Sequence, residues 1–225
     1  MIFQALQPQD PTTFVTDMLL FLQNAGFAIY LLVKTPRGEK RQASIVWICT
    51  FLSIGIFAFC GAISHWTKYV AVSDVMWPPT MIFGGLAFFF FNVGVLMHIF
   101  GKNSRKHLVL PGLFLVIYLI IIPILDWLFI LFVTYQLLCS IMIFLYAIPR
   151  QKADPFLKSC VTGLIILLVA GVIQALGSML GLKFLYGNAE QFIFKPHNDV
   201  FHIIAMIGLT IIFQGLRKNK LGIVA

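Results

Sequence analysis

The last apolar run of the chain opens with Lys195, Pro196, His197, Asn198, Asp199, Val200, Phe201 and His202. Ionisable groups at the mouth of a membrane-crossing segment cost about a few kcal/mol each unless paired or hydrated, so their concentration there needs a reason. On a helix, at about 100° per residue, Asn198 and His202 lie roughly 40° apart and Asp199 and His202 roughly 60°, so either pair shares a face that His197 leaves. A second stretch, Ser64, His65 and Trp66, closes an earlier apolar run and brings another imidazole to the same depth. Two histidines with one carboxylate leave an open coordination position, as in catalytic zinc sites, where bound water becomes nucleophilic near neutral pH. On this reading His65 and His202 hold the metal and Asp199 is the first choice of carboxylate. Asp17 or Asp74 supports the ligands or acts as general base, and Ser64 stands beside them.

The elements that must position these groups follow from composition. The chain has 225 residues, 60% of them hydrophobic and 11% charged, with mean hydropathy +0.95. Its apolar residues come in runs of about twenty, which is the pattern of a polytopic membrane protein. Hydropathy predicts a single all-α domain of seven spans at about 13–33, 44–66, 77–100, 108–122, 127–148, 156–182 and 199–216. The N-terminal stretch lacks a basic region and a cleavage site, so no cleaved signal is expected. Cys49, Cys60, Cys139 and Cys160 are neither paired nor spaced like a zinc knuckle and read as packing residues.

Short loops rich in Lys and Arg stay cytoplasmic. Lys34, Arg37, Lys40 and Arg41 follow the first span, Lys102, Arg105 and Lys106 the third, Arg150, Lys152 and Lys158 the fifth, and Arg217, Lys218 and Lys220 the seventh, thirteen of the 16 basic residues. The other side carries Lys68, Lys183 and Lys195. This alternation predicts an outer N-terminus, a cytoplasmic C-terminus and residence in the cell (inner) membrane. The +8 net charge is thus a topology signal, and no nucleic-acid partner is implied, because the charges fall in separate loops without a binding motif. Asp10, Asp17, Asp74, Asp126, Glu190 and Asp199 fall on the outer side, Glu39 and Asp154 on the inner, and His98 and His107 read as interfacial. Gln23, Asn24, Asn92, Gln174 and Gln214 are expected to hydrogen-bond across helices, and Gly171, Ala175, Gly177 and Gly181 to let helices approach closely.

Each candidate also has a plainer reading. Asn198 and Asp199 make a good helix start, an N-cap amide and a first-turn carboxylate. His65 with Trp66, Lys68 and Tyr69 suits an interfacial belt, His197 suits a loop, and Asp17 with Thr13 and Thr16 suits a cap. The coincidence of these groups at one depth carries the chemical reading.

At these residues the chain resembles the CREST superfamily of seven-span membrane hydrolases and receptors, which includes the alkaline ceramidases. There a Ser-x-x-x-His motif ends span two, an Asp follows at the start of span three, and a His-x-x-x-His motif opens span seven, the three histidines holding zinc. Gly61-x-x-x-His65, Asp74 and Asn198-x-x-x-His202 stand in those places. Pro11, Thr12, Thr13 and Asp17, the Gly61 to His65 region and the His197, Asn198, Asp199 opening also look like an uncharacterised family of small bacterial membrane proteins near the ceramidases. Gly61 replaces the serine and Asn198 a zinc-binding histidine, so Asp199 or His197 takes over coordination, or metal is held weakly or not at all. The resemblance implies a zinc-dependent hydrolase of a lipid amide or ester, with membrane lipid as partner. The alternative is a nonenzymatic seven-span sensor, lipid-binding or assembly protein. A retinal photoreceptor is disfavoured because 199–216 has no lysine for a Schiff base, and an ion carrier because no ionisable residue lies near mid-bilayer.

Overall fold

The computed structural model of the chain describes residues 10–35, 41–66, 70–127, 129–186 and 192–219. Arg37, Glu39, Lys40, Lys68, Tyr69, Glu190 and Lys220 lie outside the described residues. Seven helices, α1 (Pro11–Lys34), α2 (Arg41–Trp66), α3 (Val70–Phe100), α4 (Arg105–Ile124), α5 (Phe129–Ala147), α6 (Pro155–Met179) and α7 (Pro196–Lys218), are each long and apolar enough to cross a membrane. A hairpin of β1 (Phe184–Tyr186) and β2 (Phe192–Phe194) joins α6 to α7. The fold is all-α apart from this hairpin.

Helix α1 packs on α2, α2 on α3 and α6 on α7, while α7 returns to α1. The larger core lies between these elements around Trp47, whose ring meets Phe91 at 5.5 Å and Phe156 at 5.7 Å, both edge-on. A smaller core of Met81, Tyr118, Ile122, Phe132, Tyr135 and Cys139 ties α4 and α5 to α3. Outward-facing residues such as Val109 and Ile124, 70% and 72% exposed, are apolar, as a surface facing hydrocarbon requires.

The helix ends depart from the hydropathy reading for identifiable reasons. Helix α3 starts at Val70, so Asp74 lies in its first turns and Pro78 and Pro79 inside it. Threonine hydroxyls help satisfy the backbone around such prolines, and the Thr80 hydroxyl donates to the Met76 carbonyl at 2.7 Å. Helix α6 stops at Met179 because Gly181 adopts φ +63°, with Leu182 N–H donating to Gly177 O at 3.0 Å and Gly181 N–H to Ser178 O at 3.1 Å, a Schellman closure. Helix α7 starts at Pro196 with Lys195 as N-cap, so Asn198 is inside the first turn and does not cap it. Proline at the first helical position was the readable signal.

Of the expected glycines Gly177 lets α7 approach closely, its neighbour being His197, while Gly171 and Gly181 do not, and a further close approach occurs at Gly163, where a Cβ would stand 2.6 Å from Gly208 O. Of the apolar-span amides, Gln23 bridges α1 to α7 through Met206 O at 3.1 Å and Thr210 Oγ1 at 2.9 Å. Asn24 and Asn92 instead bond their own helices at Leu20 O and Phe88 O, and Gln214 is exposed.

At the opposite end from the histidine pair, His98 Nε2 lies 2.6 Å from Asp154 Oδ2. Asp154 also caps α6, accepting from the Phe156 and Leu157 amides at 2.9 and 3.1 Å. Burial opposes its charge, but the His98 hydrogen bond and those two amides outweigh it and hold the carboxyl below the usual range. A carboxyl lowered on folding adds stability above its unfolded pKa of about 3.9, and this is lost as pH falls through the folded value. Asp154→Ala is therefore expected to cost about 1–2 kcal/mol at neutral pH and to flatten the melting-temperature loss below about pH 4, measured by thermal unfolding in detergent.

Candidate functional site

One end of the bundle gathers the starts of α1 and α7 and the end of α2. Asp10 opens α1 as its N-cap, its Oδ1 accepting from Thr13 N–H at 3.2 Å. Capping therefore falls to Asp10, which leaves Asp17, two turns further in, free for another task. The Asp10 amide donates to His65 O at 3.1 Å, which ties the beginning of α1 to the end of α2.

Asp17 is 3% exposed and stands between the two histidines. Its Oδ1 lies 3.1 Å from His202 Nε2 and its Oδ2 4.0 Å from His65 Nε2. Both rings are thus within 4.0 Å of one carboxylate, well inside a helix diameter of about 10 Å. Asp17 Oδ2 is buried without a hydrogen-bond partner among the described residues. Gly61 makes this approach possible: a Cβ there would stand 3.3 Å from Asp17 Oδ2.

The partners of His202 allow two tautomers. Thr16 Oγ1 lies 2.9 Å from His202 Nδ1, 3.1 Å from Thr13 O and 3.2 Å from Asp199 Oδ1. If the hydroxyl hydrogen goes to Nδ1, Nε2–H donates to Asp17 Oδ1; if it goes to the Thr13 carbonyl or the Asp199 carboxylate, Thr16 accepts from Nδ1–H. The Nδ1–H tautomer, the one a metal ligand needs, turns the Nε2 lone pair toward Asp17. A lone pair facing a carboxylate oxygen is stable only with a positive centre between them, either a proton or a metal ion.

Two imidazoles and one carboxylate are donor types that zinc takes. Ligands about 2.0 Å from a tetrahedral zinc stand about 3.3 Å apart, a value that the 3.1 and 4.0 Å separations bracket. Among the described residues no three His, Cys, Asp or Glu side chains stand close enough together to hold a metal ion, and the longer of the two separations is on the His65 side, at 4.0 Å. Outer carboxylates or hydroxyls that orient ligand imidazoles have counterparts in Thr16 at His202 Nδ1 and in Asp10 Oδ2, 3.9 Å from His65 Nδ1. Thr16→Val is expected to reduce metal affinity by about 10–100-fold, read by competition with a chromogenic chelator; Thr134→Val on α5, whose hydroxyl donates to Ile130 O of its own helix, is the control.

The remaining sequence candidates take distinct places. Asp199 faces the Thr16 hydroxyl, so the carboxylate between the rings is Asp17. Asn198 and His197 are buried in the first turn of α7, and His197 lies against Gly177, where no Cβ fits. The Ser64 hydroxyl donates to Cys60 O of its own helix at 3.1 Å. Asp74 is exposed on the wall of a pocket of about 410 Å³ shared with Asp10, Ser64, His65, Trp77 and Lys195. A second pocket of about 340 Å³ reaches His65 from the other side and is lined by Trp77, Phe129, Gln174, Lys183, Lys195 and His197 among others. Sequence reasoning missed Asp10, Thr16 and Lys195. The Asp-Pro and Lys-Pro pairs at the two helix starts were signals for the first and last, while nothing local marks Thr16, whose partners lie across the bundle on α7.

No curated protein and no solved structure matches the chain. A family model covers almost all of it, residues 12–221, and so includes Asp17, His65 and His202. The chain belongs to that family, described as a family of unknown function (DUF6962).

Proposed function

We propose that the protein is a metal-dependent membrane hydrolase of a lipid amide or ester, working at the outer face of the cell membrane. The observation that carries the reading is the convergence of two imidazole Nε2 atoms on one buried carboxylate, one of the two rings, His65, also lining two pockets. His65, His202 and Asp17 hold the metal; zinc, when bound, polarises the scissile carbonyl and makes water nucleophilic near neutral pH. Thr16 keeps His202 in the ligand tautomer. Asp74, on the wall of the larger pocket, is placed to pass a proton to the leaving group. The positive-inside distribution of Lys and Arg supports an outer site with the C-terminus in the cytoplasm.

The test is turnover of short-chain lipid amides and esters by purified protein beside His65→Ala and His202→Ala. Activity that disappears in both variants supports the proposal, and activity unchanged in either overturns it. The 3.1 Å His202–Asp17 contact favours one other reading, a nonenzymatic lipid-binding bundle stapled by that pair. Under it, His202→Ala lowers the melting temperature and no substrate is turned over.

A further inference from the structure

The hairpin between α6 and α7 has two unlike faces. Its register pairs Phe184 with Phe194, Leu185 with Ile193 and Tyr186 with Phe192. Side chains alternate along a strand, so Phe184, Tyr186, Phe192 and Phe194 share one face. Their rings pair at 6.1 Å for Phe184 with Phe194 and 5.3 Å for Tyr186 with Phe192. Phe184 and Tyr186 are 58% and 41% exposed. Exposed aromatic rings at the end of a membrane bundle sit at headgroup level.

The same register, carried one step past Phe184 and Phe194, sets Lys183 opposite Lys195, on the face of Leu185 and Ile193. Like charges directly opposite across an antiparallel pair repel. Both lysines line the smaller pocket with His65 and His197, and among its described lining residues there is no Asp or Glu. Asp10 and Asp74 line the larger pocket instead. Lys195 has partial relief from Asp10 Oδ2 at 3.9 Å, whereas Lys183 makes no ion pair among the described residues. His197, 8% exposed, lines the same pocket. Two apposed cations over a pocket free of described carboxylates, on a hairpin whose other face is aromatic, have the chemistry of an anion clamp at the membrane surface.

We propose that Lys183 and Lys195 clamp the phosphate of an anionic membrane lipid in the pocket beside His65. A phosphate monoester carries about −1.5 to −2 charge at neutral pH, which matches two ammonium groups. The inference deepens the hydrolase reading by naming its substrate class, lipids with a phosphate-bearing headgroup. Its readout is binding, so it stands or falls separately from turnover.

The experiment is calorimetric titration of the full-length protein in a neutral maltoside detergent with dioctanoyl phosphatidic acid, dioctanoylglycerol and inorganic phosphate. The phosphatidic acid is expected to bind at least about tenfold tighter than the diacylglycerol. Lys183→Gln with Lys195→Gln should erase that margin, while Lys183→Arg with Lys195→Arg keeps it, and the arginine pair answers the case in which the glutamine pair fails to fold. Equal binding of the two lipids, or a margin that survives in the glutamine pair, overturns the clamp. Inorganic phosphate binding as tightly as the lipid overturns the lipid assignment by pointing to a soluble anion.

Discussion

Asp17→Asn is expected to lower lipid hydrolysis by on the order of 10²–10⁴-fold while leaving the protein folded. The amide has nearly the size of the carboxylate, and its NH₂ can donate to the His202 Nε2 lone pair now 3.1 Å from Oδ1, so the α1 to α7 contact persists. The negative charge shared by the two rings does not. Asp199→Asn should cost much less, because Asp199 reaches the rings only through Thr16 at 3.2 Å. Rates of the two variants on one substrate, with elution volume and melting temperature as folding controls, separate the roles. An Asp17→Asn enzyme within twofold of wild type would remove Asp17 from the chemistry.

The second large effect is on stability. Gly163 and Gly208 meet where α6 crosses α7: a Cβ at Gly163 would lie 2.6 Å from Gly208 O, and one at Gly208 would lie 2.8 Å from Gly163 O. Backbone offers no rotamer by which to yield, so Gly163→Val must separate the helices. The expected cost is about 2–3 kcal/mol, or about 5–10 °C in melting temperature. Because α7 carries His202, hydrolysis should fall as well. Gly26→Ala, where a Cβ would meet nothing within 4 Å, should hold or raise the melting temperature. Thermal unfolding of both variants by intrinsic fluorescence checks the pair, and equal melting temperatures would refute the crossing as a determinant of stability.

Much of this architecture is legible in the amino-acid pattern because a hydrocarbon environment imposes length and apolarity on every span. Seven runs of sufficient length therefore correspond to seven helices. Helix ends are less legible, since apolarity continues past the point where backbone geometry stops a helix. Gly181 reads as a small packing residue and acts as the left-handed residue that ends α6. The third span reads as starting at about 77, yet α3 begins at Val70 and carries Pro78 and Pro79 inside it. The histidines could be singled out because imidazoles are rare in such segments. Which carboxylate meets them depends on how α1 is rotated against α2 and α7, a tertiary property that spacing along α7 does not encode. Asp199 is near His202 in sequence, yet Asp17, on another helix, lies between the rings. Lys183 and Lys195 are twelve positions apart and become opposed only through the hairpin register.

The most direct test of the site is the metal content of the purified protein beside its His202→Ala variant, measured by elemental analysis after exhaustive dialysis. The account predicts about one equivalent of divalent metal in the wild type, from a site of two imidazoles and one carboxylate, and its loss in the variant. A folded, active wild-type protein without metal, or a His202→Ala variant that retains the full equivalent, would contradict it.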